Sequence, residues 1–164
     1  MREELLTPAT ARRLAQEGLA WEPQIGDWCI TLGSEHVSEG DASLWLVVAL
    51  APAQGMLTLA DANGRWPQAH VAQRDCLWLP TAGKLKTWLR GRGYRVTTGE
   101  TTTRPSVGPF ASVAPSQHVC RLTSLSGRVI DGEGVNEAEA VAFAMLRVLL
   151  NEKAASREPY SPQL

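Results

Sequence analysis

The sequence predicts an α+β protein, on three observations. Residues 21–79 form short runs rich in Trp, Val, Leu and Ile with turn residues between them, the signature of brief antiparallel strands. From Thr81 onward, helically spaced apolar residues bracket a second group of strand-like segments. The apolar fraction of 44% with 20% charged residues suits a packed core, and a formal net charge of -1 excludes a fully disordered chain. The expected architecture is an N-terminal small SH3-like β-barrel or curled antiparallel sheet over residues 1–80, a C-terminal α-β-β-β-α module over 81–155, and a flexible tail over 156–164.

Each element has a local reason. Thr7 is a candidate N-cap, Pro8 suits the first helical position and Gly18 suits the exit, so 7–17 is read as a short helix. Strands are expected at 28–32, 44–50, 56–61, 66–71 and 76–79, with Asn63-Gly64 turning one hairpin through positive φ. Five short strands hide their edges most easily by curling. Pro80 ends this meander, and Thr81 caps a helix in which Leu85, Trp88 and Leu89 share a face, closed by Gly91 or Gly93.

Three more strands follow at 94–98, 118–125 and 128–131, the last two joined through Ser126-Gly127. Asn136 followed by Glu139 has the form of a capping box and opens the strongest helix, 137–152. Between Ala140 and Leu150 only Arg147 is charged, which predicts burial on more than one side and contact with the N-terminal module. Residues 99–117, with three consecutive threonines and Pro105, Pro109 and Pro115, carry no periodicity and read as disorder or a loose hairpin extension.

Several chemistries lack their signatures. There is no GxGxxG, Walker-type phosphate loop, HExxH, EF-hand loop or GxSxG, and no cofactor is expected. Cys29, Cys76 and Cys120 are too far apart for a disulfide framework and read as reduced, buried thiols. The N-terminus lacks a signal-peptide core, and the longest apolar runs fall short of the roughly 20 residues of a membrane span. A soluble cytoplasmic protein without membrane contact is expected.

Four groups of residues carry candidate chemistry. His118 and Cys120, two apart in a strand, leave the same face and are weak candidates for a metal or a thiolate-imidazole pair; a core Cys beside a strand-end His is the simpler reading. Asp27-Trp28-Cys29 and Asp75-Cys76-Leu77-Trp78 could bring two thiols together across neighbouring strands, although alternating core residues explain them as well. Glu35 and His36 offer an acid-base pair in a polar loop that solvation alone accounts for.

The fourth group is a matter of charge distribution. Residues 1–81 carry five bases against ten acids, and residues 82–164 carry eleven bases against seven acids. The basic stretch Lys84, Lys86, Arg90, Arg92 and Arg95 could grip phosphates, or could answer the acidic half of the same molecule.

The order helix, three strands, helix over 81–153 resembles double-stranded RNA-binding domains in topology. At the start of the second helix, where that family presents lysines, this chain has Asn136-Glu137-Ala138-Glu139, so only the topology carries over. The Trp78-Leu79-Pro80-Thr81 junction, a helix ending in Arg92-Gly93-Tyr94 and a final helix with Glu-Ala repeats resemble small uncharacterised phage and prophage proteins, some with an αβα-sandwich module. That resemblance implies an accessory or binding role and assigns no functional residue. The expected function is non-enzymatic macromolecule binding, with protein as the leading partner and a homodimer as one arrangement. The alternatives are nucleic-acid binding through the basic segment and a small metal- or thiol-dependent hydrolase.

Overall fold

The computed structural model describes residues 4–32, 44–61, 68–101 and 117–156. The Asn63-Gly64 turn, the start of the strand expected at 66–71, the Glu35-His36 pair and most of the C-terminal tail lie outside the described residues. The order of elements is α1 (Pro8–Gln16), β1 (Trp28–Thr31), β2 (Leu44–Ala51), β3 (Met56–Asp61), β4 (Gln68–Ala72), β5 (Cys76–Trp78), α2 (Ala82–Gly91), β6 (Arg95–Thr101), β7 (Gln117–Thr123), β8 (Val129–Gly134) and α3 (Glu137–Ala155). This is the expected α+β class. The predicted caps are in place: the Thr7, Thr81 and Asn136 side chains accept from the backbone N–H three residues on.

The first sheet has the order β4-β3-β2-β1-β5, with antiparallel neighbours throughout. Its outer strands are four spacings apart, about 19 Å in a flat sheet. A single 3-10 turn, Gln73–Asp75, nevertheless joins β4 to β5, and a connection that short spans at most about 14 Å even extended. The sheet must therefore curl. Register shifts between Val47 and Ala49 and between Leu57 and Leu59 add local twist, the second beside His70 at φ 69°. Among the described residues the ladder does not close: β4 and β5 do not pair, so the barrel alternative gives way to the curled sheet.

Alternation along β1 supplies two cores. Cys29 points into the curl with Val47, Leu57, Leu59 and Cys76, flanked by Trp21 and Trp45. Ile30 points the other way, with Leu77 and Leu79, into a larger cluster that takes in Leu6 and Leu14 of the N-terminal segment, Leu85 and Leu89 of α2, and Leu122, Ile130 and the buried face of α3. The apolar core thus runs unbroken across residues 80 and 81.

The second sheet, β6-β7-β8, lies under α3. Ladder pairing from Arg95↔Thr123 to Thr101↔Gln117 extends β6 and β7 beyond the apolar pattern, because backbone hydrogen bonds continue where side chains give no signal. Residues 99–101 and 117 are therefore strand, which at these two ends of 99–117 agrees with the hairpin alternative and corrects the reading of disorder. The Ser124 N–H donates to the Arg128 carbonyl and Gly127 adopts φ 81°, ending β7 two residues early.

α3 sits close to β8 because Gly132 and Gly134 face it. A Cβ on Gly132 would lie 2.4 Å from both the Ala140 carbonyl oxygen and the Ala144 nitrogen, and one on Gly134 would lie 2.5 Å from the Ala140 nitrogen. The small alanines of α3 complete this seam.

Glu139 departs from its expected role. Asn136 Oδ1 accepts from the Glu139 N–H at 2.8 Å, but the Glu139 carboxylate does not fold back to complete a capping box. It reaches α1, where Oε1 accepts from the Thr7 N–H at 2.8 Å and Oε2 from the Thr10 hydroxyl at 2.7 Å. With Glu139 only 4% exposed, these bonds clamp the start of α1 to the start of α3. Glu139→Ala strands two donors and is expected to cost about 2 kcal/mol. Urea denaturation checks this, with Glu133→Ala on the exposed surface as the near-neutral control.

Candidate binding clefts around Trp78

Two glycines set up the segment before β1: Gly18 at φ 106° lets the chain leave α1, and Gly26 at φ 94° turns it toward the sheet. The turn buries Asp27, which is 3% exposed. Its Oδ2 accepts from the Trp21 indole N–H at 3.0 Å and from the Gln24 N–H at 2.9 Å. Oδ1 makes no directed hydrogen bond and is balanced by the Lys84 ammonium of α2, 3.2 Å away. Asp27 thereby fixes the Trp21 ring, which stacks on Trp78 with centroids 6.3 Å apart and planes 4° from parallel.

Trp78 is a wall of two clefts. The first, of about 620 Å³, lies between α1, the Gln54–Met56 turn and β5, lined by Leu14, Trp21, Gln73, Arg74 and Cys76 among others. The second, of about 930 Å³, lies between residues 18–28 and α2, with Trp28, Trp88, Lys84 and Arg92 in its walls. The Trp78 indole nitrogen is buried without a hydrogen-bond partner among the described residues. The Arg92 guanidinium covers the Trp88 ring at 4.0 Å while pairing with Glu152 at 2.7 Å.

No protein-family model, curated protein or solved structure matches this chain. The site is therefore read from its own geometry.

The basic segment does not form one face. Lys84 turns to Asp27, Lys86 to Glu137 and Thr98, and Arg92 to Glu152, while Arg90 and Arg95 are exposed. Residues two apart on a helix project to nearly opposite sides, so Lys84 and Lys86 serve different neighbours. Lys86 and the Thr98 hydroxyl hold the Glu137 carboxyl below its usual range. The solvent face of the second sheet carries Thr97, Val119, Glu133 and the Arg121-Asp131 pair, whose Nε and Nη2 contacts are 2.8 and 3.0 Å. Its described residues offer no aromatic platform for bases.

His118 and Cys120 do share the inner face. Cys120 is fully buried, and burial pushes its thiol up to about 11, which keeps it protonated. His118 Nε2 lies 3.8 Å from Glu100 Oε1. Among the described residues, no three His, Cys, Asp or Glu side chains converge as metal ligands would.

Cys29 stands opposite Trp78 and Thr31 opposite Cys76, making Cys29 and Cys76 diagonal neighbours on one face. Both are free thiols. Contact with Cys76, together with burial, raises the Cys29 pKa; the same contact lowers that of Cys76, whose Sγ also donates to the Ala72 carbonyl at 3.7 Å. Cys76 alone of the three lines the first cleft. In the native protein iodoacetamide is expected to modify Cys76 at least tenfold faster than Cys29 or Cys120, as peptide mass spectrometry would show.

Sequence reasoning singled out Asp27 and Trp78 only as parts of two similar tripeptide-scale patterns. It missed their roles because no local pattern links Asp27 to Lys84 or Trp21 to Trp78. Among the described residues, no helix is long and apolar enough to cross a membrane.

Proposed function

We propose that this is a non-enzymatic accessory protein of the phage or prophage kind, acting in the cytoplasm, that binds another protein through the clefts around Trp78. One observation carries the reading: a single indole, backed by a stacked Trp21 that a buried Asp27 holds in place, forms a wall of both clefts. Rigid aromatic rings beside a cleft are the groups that dominate protein interfaces when a partner covers them. The sequence texture around Trp78-Leu79-Pro80-Thr81 supports the phage setting, which flanking phage genes would corroborate.

Exposed Arg90 and Arg95 favour the nucleic-acid alternative, but Asp27, Glu137 and Glu152 engage the other three cations of that segment. The test is a displayed random dodecapeptide library panned on the folded protein, alongside titration with single- and double-stranded oligonucleotides at low and raised salt. Peptides whose binding shifts tryptophan emission and is lost in Trp78→Phe support the protein-binding reading. Salt-sensitive oligonucleotide binding without peptide selection replaces it with the alternative.

A further inference from the structure

The free edge of β5 runs along the first cleft, and its hydrogen-bonding groups alternate in direction. Leu79 N–H donates to the Trp28 carbonyl and Leu32 N–H to the Asp75 carbonyl, both at 2.8 Å, with Ile30 opposite Leu77 between them. In an antiparallel ladder the intervening residues turn their backbone groups the other way. Cys76 and Trp78 therefore direct theirs away from β1, toward the edge where no strand pairs among the described residues. The Cys76 N–H is taken by the Gln73 carbonyl within the turn, which leaves the Cys76 carbonyl and both backbone groups of Trp78 facing outward.

The chain itself begins a further strand on this edge and then abandons it. Leu5 bridges Thr81 in antiparallel sense, and Leu6 N–H donates to the Pro80 carbonyl at 3.4 Å. In that sense, the following residues would run past Trp78 and Cys76. Thr7 and Pro8 instead start α1, which lifts away and becomes the roof of the cleft. What remains is a strand-length gap between an unpaired edge and a helix. Arg74, its side chain 88% exposed and 4.0 Å from the Asp75 carboxylate, stands at the Cys76 end as the one charged residue among the described residues lining the cleft.

The geometry points to β-strand addition: an extended segment of a partner protein, apolar with an acidic residue toward Arg74, pairs with the Cys76–Trp78 edge beneath α1. What the edge presents is a row of backbone groups at strand spacing, which an extended peptide can pair and a helix or an RNA cannot. This rests on the protein-binding reading above and specifies its mode.

The experiment uses a dodecapeptide selected on the folded protein, resynthesised in two forms N-methylated at alternate residues, together with residue-resolved amide exchange. Strand addition predicts that one N-methyl series binds at least tenfold more weakly while the other binds within about twofold, because only alternate N–H groups face the edge. It also predicts a Trp78 amide that exchanges faster than that of Leu79 in the free protein and becomes protected when peptide binds. A selected peptide that shifts tryptophan emission while both N-methyl series bind equally overturns the mode and leaves protein binding standing. Failure to select any peptide removes both. Protection of Trp78 in the dilute free protein would assign the edge to the chain's own residues. Protection appearing only as protein concentration rises, with a dimer in sedimentation, would assign it to a second copy; either result overturns the proposal.

Discussion

Gly132→Ala is expected to destabilise the protein by about 3 kcal/mol, the upper end of the usual cost of overpacking. The added methyl would lie 2.4 Å from the Ala140 carbonyl oxygen and the Ala144 nitrogen, backbone atoms that cannot rotate aside. α3 would have to move away from β8 as a unit. Val141, Met145 and Val148, all essentially without solvent exposure, would lose packing together. Urea denaturation measures the loss, and Gly134→Ala should behave alike. Gly99→Ala is the control: nothing lies within 4 Å of its added Cβ, so its midpoint should move by less than about 0.5 kcal/mol equivalent. Similar stabilities for Gly132→Ala and Gly99→Ala would refute the close helix-sheet seam.

The second large effect concerns the charge pair behind the clefts, where the order of two variants is informative. Lys84→Met leaves the 3%-exposed Asp27 carboxylate with two hydrogen bonds and no counter-charge, at an expected cost of about 3 kcal/mol. Asp27→Asn keeps an oxygen for Trp21 and Gln24 and leaves an ammonium whose side chain is 37% exposed. Water can solvate that cation, so the expected cost is nearer 1 kcal/mol. The double variant should recover part of the Lys84→Met loss, since no unpaired buried charge remains. Chemical denaturation gives the energies, and tryptophan emission reports whether the Trp21-Trp78 stack persists. A Lys84→Met no costlier than Asp27→Asn would mean that the pair contributes little.

These two sites show where a one-dimensional reading stops. The turn residues and caps are short-range signals, and they placed the elements well: Thr7, Thr81 and Asn136 cap as expected, and strand alternation located β1 to β3 and β5 within a residue or two. Glu139 was misread because a capping box and a clamp onto another helix use the same carboxylate, and only the position of α1 decides between them. Of the two readings of the basic segment, Lys84 follows the one in which its charge answers the acidic half, through Asp27, whereas Lys86 and Arg92 pair with Glu137 and Glu152, because adjacency in the chain ignores direction around a helix.

The sequence by itself determined the α+β class, the two groups of strands and the three helices, because caps, turn glycines and apolar periodicity act within a few residues. Tertiary structure decided what those signals cannot reach. It left the sheet curled but open, carried the apolar core across residues 80 and 81, joined Lys84 to Asp27, and turned the chain after Leu6 away from the edge of β5 into α1. Each of these depends on which distant surfaces pack together, and that choice is made by the summed burial of many residues and by the pairing of buried polar groups.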